Sequence, residues 1–153
     1  MSEKGGVIRK AVLSIPSDPR FMGAVRQAAT GMAQLAGLTE TEVHAVTLAV
    51  NEACTNVIKH AYCHKHDEEM VLTCELYADR LMFRVRDFGA KADPACIKGR
   101  DLEDVKPGGL GVHFIRQSMD EVEYDTGREV GTELRMTKYL KTARADGSQK
   151  EGQ

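Results

Sequence analysis

Glu52, Asn56 and His60 recur at four-residue steps within LAVNEACTNVIKHAY, residues 48 to 62. Each residue of an α-helix turns the chain by about 100°, so this spacing predicts one stacked row, each side chain a turn above the last. A carboxylate can accept a proton, and a carboxamide oxygen can ligate a hard cation such as Mg²⁺. An imidazole can donate to an anion. These are parts that a nucleotide site could use. A solvated helix edge would show the same spacing, so the row alone leaves both readings open.

Two further segments carry groups of the same kind. Asp87 and Gly89 close a run rich in Phe, Val and Leu. A carboxylate there could accept a hydrogen bond from an adenine amino group, and Gly89 would let the base approach the backbone. An ordinary strand-ending turn favours the same two residue types. Gly108, Gly109 and Gly111 stand before HFIRQSM. Glycines followed by a helix N-terminus can present backbone N–H groups to phosphate. Their spacing matches neither GxxxxGK(S/T) nor GxGxxG, so the Walker A and Rossmann readings both fail.

His60, Cys63, His64 and His66 offer nitrogen and sulfur ligand types that suit Zn²⁺. Their spacing is not that of a zinc finger and no second ligand pair follows, so a polar loop after a helix is the better account. No GxSxG, HExxH or paired CxxC pattern is present.

The elements that must position these groups can be read from pattern. Val7 to Ile15 predicts a strand closed by Pro16. Ser17 or Asp18 can cap a helix that runs to about Ala36, with Pro19 in its first turn and Gly37 as its stop. Thr39 and Glu42 form a capping-box signature for the second helix, whose apolar stripe includes Val46, Val50, Ala53 and Val57. HKHDEE is a polar loop. Met70 to Tyr77 and Arg80 to Arg86 predict an antiparallel hairpin turning at Ala78-Asp79, without the usual glycine.

A long connection from Ala90 to about Pro107 follows, with a short helix near Pro94 to Lys98. Connections of this length are usually lids or binding loops. A third helix and two last strands, Glu121 to Tyr124 and Thr132 to Tyr139, complete the pattern. The polar tail from Lys141 reads as disordered.

The 153 residues suit a single domain spanning 1 to 140, with 42% hydrophobic and 29% charged residues. A net charge of −2 excludes a basic nucleic-acid binder or an anionic-membrane binder as the main role. The opening MSEKGGVIRK has no apolar run long enough for a signal peptide, and no stretch is long enough to span a bilayer. The expectation is a cytoplasmic protein whose four cysteines are reduced.

The order of these motifs resembles the GHKL ATPase superfamily, the Bergerat fold of histidine kinases, gyrase B and MutL. Within it the chain is most similar to the RsbW/SpoIIAB-type anti-sigma factors, which are serine protein kinases. The resemblance covers roughly residues 7 to 140. It is carried by LAVNEACTNVIKHAY, FRVRDFGAKADP and GGLGVHFIRQSMDEVEYDTGREVGTELRMTKYL. The phrase MDEVEY, followed by a Gly-Thr strand ending in TKYL, is its most specific part.

The resemblance implies an α/β two-layer sandwich, with a mixed, mostly antiparallel sheet and helices on one face. It implies that Glu52 is the general base for the target serine and that Asn56 ligates Mg²⁺ on the ATP phosphates. Asp87 would bind the adenine amino group beside Thr132, and Gly89 would line the adenine pocket. Gly109 and Gly111 would cradle the phosphates beneath a lid, with His60 facing them. Lys91 stands where the usual DxGxG box has its second glycine, a departure that fits the anti-sigma branch.

The implied partners are an anti-anti-sigma STAS-domain protein as phosphorylation substrate, a sigma factor, and a second copy in a homodimer. Three rivals remain at this stage. One is a non-catalytic module of the same fold tuned by ATP, which would have no need of the base at Glu52. Another is a switch kinase acting outside a sigma circuit. The third is a metal protein using the histidine and cysteine cluster.

Overall fold

A computed structural model describes residues 6–89 and 110–141. The connection from 90 to 107, its short helix, Lys91, Gly108, Gly109 and the tail beyond Lys141 lie outside the described residues.

Strand β1 (Arg9–Pro16) leads into Asp18, whose carboxylate accepts the Arg20 backbone N–H at 2.9 Å and caps a 3₁₀ turn, Pro19–Phe21. Of the two candidate caps, Asp18 serves. Ser17 is instead buried as a stitch, donating its hydroxyl to the Lys65 carbonyl at 2.5 Å and accepting the Glu68 N–H at 3.1 Å. Arg20 beside Asp18 holds its carboxyl down at about 2.

Helix α1 (Met22–Leu35) follows. Helix α2 (Glu40–Asn56) begins with both bonds of the expected capping box: Glu42 N–H donates to Thr39 Oγ1 at 3.1 Å, and Thr39 N–H to Glu42 Oε1 at 3.0 Å. A π-helical turn, Val57–Ala61, continues α2. Next come β2 (Glu69–Leu76), β3 (Arg80–Asp87), helix α3 (Leu110–Ser118), β4 (Glu121–Asp125) and β5 (Glu133–Tyr139).

The five strands lie in the order β1-β2-β3-β5-β4. Every pairing is antiparallel, so among the described residues the sheet is not mixed. The β2–β3 hairpin closes with Tyr77 N–H donating to Arg80 C=O at 2.8 Å. Neither Ala78 nor Asp79 has a positive φ, which explains how the turn forms without glycine.

Alternation decides the two faces of the sheet. Leu72, Phe83, Val85 and Met136 point inward and pack with Val25 of α1, Val46 and Val50 of α2, and Ile115 of α3. Burying side chains of this size stabilises by about 1.5–3 kcal/mol each. The opposite face carries an ion-pair lattice. Arg84 meets Glu75 at 3.1 Å, and Arg135 meets Glu133 at 3.1 Å and Asp125 at 3.2 Å. The described helices α1, α2 and α3 therefore pack on one face of the sheet, and the described residues form a two-layer α/β sandwich.

The cysteines depart from expectation in part. Cys54 and Cys74 are free and buried, and burial pushes both thiols up to about 12. Cys63 is disulfide-bonded, whereas composition predicts reduced thiols throughout.

Candidate nucleotide site

Helix α2 buries Val43, Val46, Val50 and Ala53. That fixes its rotation and leaves Glu52 and Asn56 half-buried on its flank. The two keep the one-turn spacing read from sequence, because α2 is α-helical through Asn56.

His60 does not continue the row in the same way. Beyond Asn56 the backbone hydrogen bonds lengthen to i→i+5, as in Tyr62 N–H to Val57 C=O at 3.0 Å. Each residue then turns the chain by less than 100°, which takes His60 out of the strict stack. It sits half-buried inside the π turn.

Glu52 faces the start of α3. Its carboxylate lies so close to Gly111 that a Cβ at that position would overlap Oε2 and stand 2.9 Å from Cδ. Position 111 therefore has room only for glycine while the carboxylate stays where it is. The first turn of a helix also favours a negative group. Glu52, Asn56 and the beginning of α3 thus gather into one corner of the molecule.

The second corner lies at the end of β3. Asp87 is 6% exposed and pairs in register with Met70 of β2. Its backbone N–H donates to the Thr132 carbonyl at 3.0 Å, which sets Thr132 beside it. Its Oδ1 accepts the Gly89 N–H at 3.0 Å, closing a tight turn. A Cβ on Gly89 would stand 2.5 Å from the Ala61 carbonyl oxygen, so this glycine lets the turn lie directly on the π segment.

The second glycine of this corner, Gly131, has φ +74, and a Cβ there would overlap the Asp87 carbonyl oxygen. The Arg86 guanidinium donates to that carbonyl and stacks over the Phe88 ring at 4.5 Å. On the other side, the Phe88 N–H donates to the Tyr62 hydroxyl at 2.7 Å.

The structure thus brings Glu52, Asn56 and Gly111 together in one corner, and Asp87, Gly89 and Thr132 in the other. Gly109 lies outside the described residues. Tyr62, Arg86 and Gly131 shape the second corner without having been singled out as site residues. Tyr62 closes the motif-bearing segment, but at the end of an amphipathic helix it reads as an ordinary core aromatic. Among the described residues no group of three His, Cys, Asp or Glu side chains gathers to hold a metal. His64 and His66 are exposed, and Cys63 is in a disulfide. The metal reading therefore finds no support in the geometry.

Among the described residues, an antiparallel sheet packs under three helices, with a buried carboxylate at one strand end and a carboxylate–carboxamide pair beside the glycine-containing opening of a helix. The histidine kinase-like ATPase domain family matches residues 15–138. The serine-protein kinase RsbW of Halalkalibacterium halodurans is 35% identical over 88% of this chain and 85% of its own length. The RsbW of Bacillus subtilis is 33% identical over 88% of each chain.

Two solved structures share the fold. The RsbU and RsbW domains of Rv1364c from Mycobacterium tuberculosis align with a TM-score of 0.63 at 15% identity, over 86% of this chain and 32% of that one. The SiaB-SiaC complex from Pseudomonas aeruginosa aligns with a TM-score of 0.60 at 13% identity, over 83% of this chain and 88% of that one. The chain belongs to the histidine kinase-like ATPase family and, within it, to the RsbW-type serine-protein kinases.

Proposed function

We propose that this chain is an ATP-dependent partner-switching kinase that transfers the γ-phosphoryl group of MgATP to a serine of a STAS-domain anti-anti-sigma protein. In the alternative state it sequesters a sigma factor. We place it in the cytoplasm as a homodimer. Among the described residues no helix is long and apolar enough to cross a membrane.

One observation carries the catalytic part: the Glu52 carboxylate seated against Gly111 at the opening of α3, with Asn56 one turn along the same helix. A helix N-terminus is where phosphate oxygens are best received. A base one side chain away from it is placed to take a proton from an incoming hydroxyl.

In this mechanism Glu52 accepts the proton of the serine hydroxyl as its oxygen bonds to the γ-phosphorus. The bond from that phosphorus to the bridging oxygen breaks, and ADP leaves. Asn56 offers an oxygen of the hard type that Mg²⁺ takes, and it would hold that cation on the ATP phosphates. When bound, Mg²⁺ neutralises phosphate charge. Asp87 accepts from the adenine amino group, Thr132 stands beside it, and Gly89 leaves the base room. In this reading His60 would face the phosphates, and Gly109 and Gly111 would supply backbone N–H groups to them. Phosphoryl transfer asks the protein chiefly for positioning and charge stabilisation, which this set provides.

A non-catalytic binding module would have no use for a carboxylate held at the helix opening, so the geometry favours the kinase. A circuit without a sigma factor would use the same site and differ only in its target.

The test is thermal unfolding with and without MgATP, on the wild type and on Asp87→Asn. At a hundred times its dissociation constant, ATP adds about 2.7 kcal/mol of stability. The expected result is a clear upward shift for the wild type and little or none for Asp87→Asn. No shift in the wild type would overturn the nucleotide reading.

A further inference from the structure

We infer that Tyr62 is a positioning residue for base recognition: its hydroxyl fixes the Asp87-Phe88-Gly89 turn in the shape that presents the Asp87 carboxylate. The inference rests on the nucleotide reading of Asp87 and goes beyond it.

Tyr62 is 5% exposed, and its phenol is used in both directions. The O–H donates to the Glu69 carbonyl at 2.5 Å, and the oxygen accepts the Phe88 N–H at 2.7 Å. A phenol has a single proton, so this arrangement has one polarity and one orientation. Glu69 opens β2, next to Met70, the residue paired with Asp87. The hydroxyl therefore ties the turn to the strand beside it and not merely to another loop.

The geometry of the turn follows from this tie. Two consecutive N–H groups leave the end of β3, and each has a named acceptor. Phe88 N–H goes to Tyr62, and Gly89 N–H goes to Asp87 Oδ1. The first bond sets the peptide plane between Asp87 and Phe88. With that plane fixed, the second bond aims the carboxylate. Without the phenol the plane is held only from its carbonyl side, by Arg86, and it can tilt so that the Gly89 N–H no longer meets Oδ1 in the same place.

The π turn is what brings Tyr62 here. It widens the last turn of the helix, so that Ala61 lays its carbonyl against Gly89 and Tyr62 follows directly into the gap between β2 and the turn. Interruptions of this type occur often at functional sites. One helix thus serves both corners: its α-helical part holds Glu52 and Asn56, and its π end holds Tyr62 against the base end. Burial also raises the Tyr62 phenol above its ordinary range, so the proton it donates stays in place at neutral pH.

The test compares MgATP with MgITP, which lacks the amino group that Asp87 would accept from. Tyr62→Phe keeps the ring and removes both bonds. The expected result is that ATP affinity falls about tenfold, the equivalent of one lost hydrogen bond, while ITP affinity changes little. The preference for ATP over ITP therefore narrows. A packing role alone would weaken both nucleotides equally, and that outcome, like an unchanged preference, overturns the inference.

A second measurement needs no variant. Hydrogen exchange of the nucleotide-free wild type should show the Phe88 amide protected, and exchange at the free-peptide rate would overturn the inference even if Tyr62→Phe folded poorly. Asp87→Asn measured alongside separates the two levels. If it keeps full ATP affinity, the nucleotide reading itself falls. If it loses ATP while Tyr62→Phe does not, only the role of Tyr62 falls.

Discussion

Gly111 and Gly131 each allow a close approach that a Cβ would block, yet what approaches them differs. At Gly111 the neighbour is the tip of a side chain, the Glu52 carboxylate. At Gly131 it is main chain, the carbonyl of Asp87. A carboxylate can rotate away from a new methyl group, whereas a strand end cannot without moving its ladder. The base corner is bonded to Thr132, Tyr62 and Arg86 through backbone groups on both sides of Asp87. The transfer corner is an acid resting on a helix opening. A kinase gains from this division. In the proposed mechanism the adenine is recognised by a surface that holds still, while Glu52 deals with a proton that arrives and leaves.

The sharpest break in the comparison is Glu52→Ala. A carboxylate base contributes a factor of about 10²–10⁴ to proton transfer. Serine phosphorylation should fall by that order in a single-turnover assay with radiolabelled ATP, while ATP affinity measured by calorimetry stays near the wild-type value. Parallel losses of binding and transfer would show that the two corners are not separable.

Gly111→Ala comes next. The added methyl overlaps the Glu52 carboxylate, and the carboxylate must turn aside. Transfer should fall about 10- to 100-fold, the upper figure being the loss that a misplacement of about 1 Å can bring. Thermal stability should change little, because only a half-exposed side chain has to move. A large drop in melting temperature would mean that Glu52 is as rigidly held as Asp87.

Much of this arrangement could be read before any coordinates. The capping box at Thr39 and Glu42 and the row from Glu52 to Asn56 depend on neighbours within one or two turns, and pattern shows such relations directly. Asp87 and Gly89 were legible for the same reason, since the bond between them spans two residues. The π turn was not, because nothing in VIKHA distinguishes i→i+5 from i→i+4 bonding, and so His60 was expected in strict register. The role of Tyr62 depends on Phe88, 26 residues later in the chain and adjacent only once β2 and β3 have paired. The antiparallel pairing of all the described strands likewise depends on distant partners.

Gly131→Ala probes the locked corner and should have the smallest effect on transfer, though not on the fold. With φ at +74, an alanine there costs about 1–2 kcal/mol from backbone strain alone. Its methyl would also overlap the Asp87 carbonyl and lie 2.8 Å from the Arg86 Nη1. The Arg86 tip can swing aside, at the loss of its bond to Asp87, but the carbonyl cannot yield cheaply because it belongs to a buried strand end. The loop before β5 must shift instead, and with it the Thr132 carbonyl that receives the Asp87 N–H. The expected outcome is a melting temperature lower by about 2–4 °C for each kcal/mol lost, together with weaker ATP binding and a turnover at saturating ATP close to wild type. That pattern is the inverse of Gly111→Ala. A Gly131→Ala protein that melts normally, yet transfers phosphate slowly, would mean that the corner at Asp87 yields as easily as the one at Glu52.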